Sequence, residues 1–172
     1  MQEEAAAPLK LLMVPCSEEE VADCVRISNL LSGIEFKLLD LAHHRFSRLR
    51  IQEFTWNNLD IELWCLYGAS DYQDALPDIT MMDACGLILV STSPPLEFLQ
   101  RNNAFFYSMD FPILWITNEQ LRKASATHLE SSIQALNVTK VAVEAVDEDS
   151  LITSEFNHWL IKVNAYLSRN RR

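Results

Sequence analysis

The sequence predicts an α/β domain, a three-layer sandwich whose sheet is mostly parallel with one antiparallel edge strand. Three observations carry this. Short, mostly apolar runs at Leu9 to Val14, Gly86 to Thr92 and Phe111 to Thr117 have the length and composition of strands buried on both faces. Amphipathic helical segments alternate with them, as parallel crossovers require. The pair Asn57-Asn58 separates two further strand-like runs, Arg50 to Trp56 and Leu59 to Tyr67, and suits a tight turn with positive φ, so these two form an antiparallel hairpin. At 172 residues, 49% hydrophobic and 22% charged, the chain is expected to form one domain over 1–172 with a sizeable core.

In chain order, residues 1–8 are expected as a disordered tail, and Leu9 to Val14 is a strand closed by Pro15. Ser17 opens the run S-E-E-E, where Ser17 and Glu20 make a capping box that starts a helix. Val21, Cys24, Val25, Ile27, Leu30 and Leu31 recur at helical spacing, and Gly33 stands where a left-handed C-terminal cap falls. Ile34 to Leu41 is strand-like and leads into the basic break His43-His44-Arg45. After the hairpin and a loop bearing Pro77 comes the strand Gly86 to Thr92, turned by Pro94-Pro95 into a helix over Leu96 to Tyr107. Phe111 to Thr117 is a strand, Thr127 to Leu136 a short helix and Val141 to Val146 a strand. Ser150 to Leu167 closes the domain as a long helix, with Leu151, Ile152, Phe156, Trp159, Leu160, Val163 and Leu167 along one stripe and Asn157, Lys162 and Asn164 opposite. Residues 168–172 are expected as a basic C-terminal tail.

Composition narrows the function. The three glycines, Gly33, Gly68 and Gly86, are scattered singly, which excludes a glycine-rich phosphate cradle of the P-loop or dinucleotide kind. A net charge of -10 repels nucleic acid and anionic membrane, so no direct nucleic-acid role is expected. Apolar runs fall far short of the roughly 20 residues that span a bilayer. Met1-Gln2-Glu3-Glu4 is acidic where a signal or transit peptide is basic, and the expected address is cytoplasmic or nuclear. Cys16, Cys24, Cys65 and Cys85 lie in or beside apolar segments without metal-ligand spacing, and read as reduced core thiols; neither metal nor cofactor is expected. There is no G-x-S-x-G turn, no H-E-x-x-H helix and no evident nucleophile with an orienting base. His128 and His158 read as solvated surface residues.

The element order, the single early hairpin and the length together resemble the Ras-like small GTPase domain over Leu9 to Leu167. That resemblance implies a phosphate loop after the first strand, where this chain has Pro15-Cys16-Ser17-Glu18-Glu19-Glu20-Val21-Ala22. The family's phosphate-holding lysine and magnesium-holding serine or threonine fall near Val21 and Ala22, which can do neither job, and three glutamates stand where a triphosphate would lie. The family's D-x-x-G corresponds to Cys65-Leu66-Tyr67-Gly68, with glycine kept and aspartate replaced. Its guanine-reading N-K-x-D corresponds to Asn118-Glu119-Gln120-Leu121, with asparagine kept and the base-binding carboxylate lost to Leu121.

The chain is therefore similar to a pseudo-GTPase, of the general type of centromere protein M or the p34-type adaptin-binding proteins. The resemblance implies a non-catalytic scaffold or subunit of a multiprotein complex, without nucleotide. The alternatives are an atypical nucleotide-binding protein, or a small enzyme on a flavodoxin-like fold, against which the hairpin counts. Two partner-binding candidates stand out. Arg45, Arg48 and Arg50, expected on an exposed loop, form either a charge-balancing solvated segment or a docking patch for an acidic partner. Phe105-Phe106-Tyr107 cannot all point inward from one helix face, so one aromatic is free to anchor a partner unless the segment is pinned between core and loop.

Overall fold

The structure, a computed structural model, describes residues 6–16, 18–33, 48–67, 83–91, 112–117, 138–142 and 149–170. Strand β1 (Leu9–Pro15) leads through a 3-10 turn (Glu18–Glu20) into helix α1 (Val21–Ser32). Next come β2 (Arg48–Trp56), β3 (Leu59–Tyr67), β4 (Gly86–Val90), β5 (Ile113–Thr117), β6 (Val138–Ala142) and helix α2 (Asp149–Asn170). The six strands form one sheet in the order β2-β3-β1-β4-β5-β6. Every neighbouring pair is parallel except β2 with β3, so the antiparallel strand lies at the edge, as expected.

Alternation along the strands divides the sheet into two buried faces. On one, Leu9, Leu11 and Met13 of β1, Leu63 and Cys65 of β3, Ile88 of β4 and Leu114 of β5 join Cys24, Ile27 and Leu31 of α1 and Phe156, Trp159 and Val163 of α2 in a single core. The alternate residues Leu12, Val14, Leu87, Leu89, Ile113 and Trp115 are buried as well. Two-sided burial is why the central strands carry nearly unbroken apolar runs. β2 differs: Gln52 is buried while Ile51, Glu53 and Thr55 are exposed.

The hairpin forms as its sequence requires. Asn57 and Asn58 take φ of 47° and 64°, both left-handed, the conformation a two-residue turn of the primed type demands. Its tip is tied to α2. Trp56 Nε1 donates to Asn157 Oδ1, Asn57 Nδ2 donates to the same oxygen at 2.9 Å, and the Trp56 ring meets Phe156 edge-on at 5.0 Å. The expected stripe of α2 is also observed, with Ile152, Phe156, Trp159, Leu160 and Val163 buried and Leu151 and Leu167 half-buried.

Several boundaries differ from expectation, most by one or two residues and the larger ones for physical reasons. Gly33 caps α1 in the left-handed conformation (φ 68°), its N–H donating to the Asn29 carbonyl at 2.9 Å, but the α-helix itself starts later than expected. The glutamates wind as a 3-10 turn, which moves the first α-helical residue to Val21 and makes Glu20 the cap residue, without a side-chain capping bond; Ser17 lies outside the described residues. β2 begins at Arg48 rather than Arg50 because β3 is long enough to pair it, with Arg48 opposite Tyr67. β6 is Val138–Ala142 rather than Val141 to Val146, since its register is set by β5, from Ile113 opposite Val138 to Thr117 opposite Ala142. α2 continues to Asn170, so Ser168 to Asn170 belong to the helix and not to a tail; Ser168 Oγ donates to the Asn164 carbonyl at 2.9 Å, and Arg169 suits the negative end of the helix dipole. The expected elements at 34–41, 96–107 and 127–136 lie outside the described residues.

Candidate functional site at the carboxyl edge of the sheet

Because β1, β3, β4 and β5 run parallel, their carboxyl ends share one edge, the place where ligands lie in open α/β sheets. Met13 stands opposite Cys65 and Pro15 opposite Val90. The ladder continues one step past the strands: Cys16 N–H donates to the Val90 carbonyl at 3.0 Å, and Ser91 N–H to the Ile116 carbonyl at 3.0 Å. Ser91 is wholly buried and its hydroxyl accepts from Trp115 Nε1 at 3.4 Å. This edge is packed.

Above it sits the 3-10 turn. Glu20 is 0% exposed at the N-terminus of α1, whereas Glu19 is exposed; Val21 is buried and Ala22 exposed. Glu20 thus places a buried carboxylate in the cap residue of α1, and its side chain makes no capping hydrogen bond. Burial pushes the Cys16 thiol far above its ordinary range, the negative charge of Glu20 pushes it further, and a hydrogen bond with Ser91 offsets part of this. Cys24 is raised by burial first, then by Cys65, Cys16, Asp23 and Glu20. The carboxyl of Asp23 is raised by burial, drawn back by Arg26 and raised again by Glu20. Thiols held protonated are poor nucleophiles and poor metal ligands. Among the described residues no three His, Cys, Asp or Glu side chains are grouped to hold a metal ion.

The sequence-predicted site residues divide accordingly. Glu20, Val21 and Cys65 come together at this edge, with Cys65 wholly buried in the core and paired to Arg50 across the hairpin. Glu18 lies in the 3-10 turn. Ser17, Gly68, Asn118, Leu121, Arg45, Phe105, Phe106 and Tyr107 lie outside the described residues. The expectation of a loop is corrected for Arg48, which belongs to β2 with Arg50, the first residue of the expected strand, because hairpin pairing extends to the end of β3. Ser91 and Gln52 carried no sequence signal, since a serine after a strand or a glutamine within one reads as ordinary surface.

No family model matches the chain, and no curated protein matches it. Solved structures do. The G domain of the T. maritima FeoB iron transporter is 15% identical with a TM-score of 0.54, covering 94% of this chain and 99% of that one. The apo form of the cytosolic domain of the same transporter is 16% identical with a TM-score of 0.59, covering 93% of this chain and 64% of that one. A bacterial selenocysteine-specific elongation factor, EF-Sec, is 14% identical with a TM-score of 0.59, covering 94% of this chain and 29% of that one. Together with the strand order, these likenesses define a small-GTPase-like fold, that of a G domain. Among the described residues no helix is long and apolar enough to cross a membrane.

Proposed function

We propose that this domain is a pseudo-GTPase, a non-catalytic interaction module that serves as scaffold or subunit of a larger intracellular complex and neither binds nor hydrolyses GTP. The observation that carries the reading is Glu20, a carboxylate wholly buried at the helix N-terminus where a G domain receives phosphate. A triphosphate brought there meets like charge and must expel a packed side chain. Val21 and Ala22 offer no ammonium or hydroxyl in return, and buried Cys65 replaces the carboxylate that supports magnesium in the family. Partner binding then falls to the surface, with Arg45, Arg48 and Arg50 as the basic candidate and Phe105, Phe106 and Tyr107 as the aromatic one.

A second reading, an atypical nucleotide-binding protein, is favoured by the fold neighbours being G domains, one of them a GMPPNP form that is 16% identical with a TM-score of 0.57. The two readings part in one experiment. The protein is purified from its own cells without added nucleotide, denatured, and the supernatant examined by mass spectrometry, while co-purifying chains are identified from the same eluate. The pseudo-GTPase reading expects no guanine nucleotide and a reproducible set of partner proteins. Guanine nucleotide released in near-stoichiometric amount would transfer the assignment to the second reading.

A further inference from the structure

The tip of the β2–β3 hairpin and the middle of α2 enclose a half-open groove of about 210 Å³. Trp56, Asn57 and Leu59 line it on the hairpin side, and Asn157, Leu160, Ile161 and Asn164 on the helix side. The helix residues recur at i, i+3, i+4 and i+7, so a single face of α2 makes that wall. The bonds of Trp56 and Asn57 to Asn157 Oδ1, and the edge-on contact of Trp56 with Phe156, hold the two walls together. The groove is preformed by the fold.

Its size and chemistry select the occupant. Sites for small molecules commonly measure about 300–1,000 Å³, so this groove suits one side chain rather than a nucleotide. None of its lining side chains is ionisable, in a chain that is 22% charged. By helical spacing Glu155, His158, Lys162 and Arg169 gather on the opposite side of α2. A charged occupant therefore finds no counter-charge here, and Ile161, 68% exposed at the rim, offers it only apolar surface.

The amides add a requirement. Asn157 Oδ1 is spent on two donors, whereas Asn157 Nδ2, Asn57 Oδ1 and the Asn164 carboxamide have no hydrogen-bond partner among the described residues. Neutral donors and acceptors beside an apolar floor match a peptide unit, which brings one N–H and one C=O. A helical segment has spent those groups within itself, so the matching backbone is extended. A second copy of the chain is opposed by its net charge of -10.

Resting on the reading of the domain as an interaction module, we propose that this groove docks one aliphatic side chain, leucine or isoleucine, from an uncharged extended segment of a partner protein, with the asparagines pairing to the main chain beside it.

The test uses the isotope-labelled full chain and three capped tripeptides: serine-leucine-serine, the same peptide N-methylated at leucine, and serine-glutamate-serine. Binding is read by nuclear magnetic resonance at the side-chain amides of Asn57, Asn157 and Asn164 and the indole N–H of Trp56. The leucine peptide is expected to shift these signals saturably with a dissociation constant of about 1–10 mM, the range open to a single side-chain anchor. N-methylation should weaken it by about threefold or more, as should Asn164→Ala. Ile161→Asp should weaken it by about tenfold through the carboxylate set at the rim, and the glutamate peptide should leave the signals unmoved. Should Ile161→Asp misfold, Asn164→Ala and the N-methylated peptide decide. No shift at about 30 mM leucine peptide, an equal response to the glutamate peptide, or indifference to both the substitutions and the N-methyl group overturns the proposal. So does a dimer, seen by sedimentation equilibrium, that Ile161→Asp dissociates, since the groove would then belong to a second copy. GTP is titrated into the same sample: saturable shifts at the start of α1 would remove the non-catalytic reading and leave the leucine result at the groove standing.

Discussion

Gly86 opens β4 directly beneath α2, and a single methyl group there tests how that helix is seated. A Cβ at Gly86 would stand 2.7 Å from both Cζ2 and Cη2 of Trp159 and 3.1 Å from Cδ2 of Leu11. Neither neighbour has room to retreat. Trp159 is wholly buried with Phe156 at a ring-centroid distance of 5.9 Å, and Leu11 is wholly buried at the centre of the sheet. Gly86→Ala therefore overpacks a close-packed interior, at a cost of about 1–3 kcal/mol. For a domain of this size that lowers the melting temperature by roughly 2–12 °C. Trp159→Phe removes the colliding ring atoms and forfeits no hydrogen bond, because Trp159 Nε1 is buried without a partner. By itself it costs stability through the void it leaves, but combined with Gly86→Ala the new methyl fills that void. Urea unfolding followed by far-ultraviolet circular dichroism gives all four corners of the cycle. The double variant should be more stable than the two single costs predict by about 1 kcal/mol or more. A Gly86→Ala variant within about 0.5 kcal/mol of the parent, or strictly additive costs, would show that Trp159 does not lie over Gly86.

Three further outcomes are expected. Trp159→Ala and Phe156→Ala should each cost about 3–5 kcal/mol, a large share of a total of about 5–15 kcal/mol; a melting curve superimposing on the parent's would refute the α2 register. As pH rises past the ordinary thiol value of 9.0, the unfolded chain loses its thiol protons while Cys16 and Cys24 keep theirs in the fold, so stability should fall from there upward and Cys16→Ala/Cys24→Ala should flatten the decline; an equally steep decline in that variant counts against the assignment. Glu20→Gln removes one upward push on Cys16 and should speed its alkylation by iodoacetamide at mildly alkaline pH, measured by mass spectrometry, and an unchanged rate would place Glu20 away from the thiol.

Much of the fold is legible in the sequence because local and tertiary preferences agree there. Leu59–Tyr67 matches its predicted run at both ends because Asn58 and the change of pattern after Tyr67 mark them chemically. The two asparagines also reveal the antiparallel edge, since little else than such a turn uses consecutive positive-φ residues. β6 lies earlier than expected because the apolar run Val141 to Val146 is the stronger local strand signal, whereas the observed bounds Val138–Ala142 follow from the register with β5, which no local pattern encodes. The start of α1 escaped for a related reason. Ser17 and Glu20 are spaced for a capping box, but Glu20 is drawn into the interior and the first turn tightens to 3-10.

The candidate site was legible by what it lacks. Three glutamates followed by Val21 and Ala22 are the sequence features on which the proposed loss of a working phosphate loop rests. Which glutamate is buried was not legible, since three identical neighbours give no periodicity with which to choose among them. At β2 the run from Arg50 to Trp56 is legible as a strand, whereas Arg48 and Leu49, which follow a basic break, read as loop until the pairing of Arg48 with Tyr67 is known.

Isothermal titration of GTP and GDP into the purified full chain, with and without magnesium, tests the central claim most directly. With the buried carboxylate of Glu20 at the α1 N-terminus and neither lysine nor hydroxyl at positions 21 and 22, no saturable heat is expected in any of the four titrations. A saturable, magnesium-dependent isotherm with micromolar affinity would contradict it.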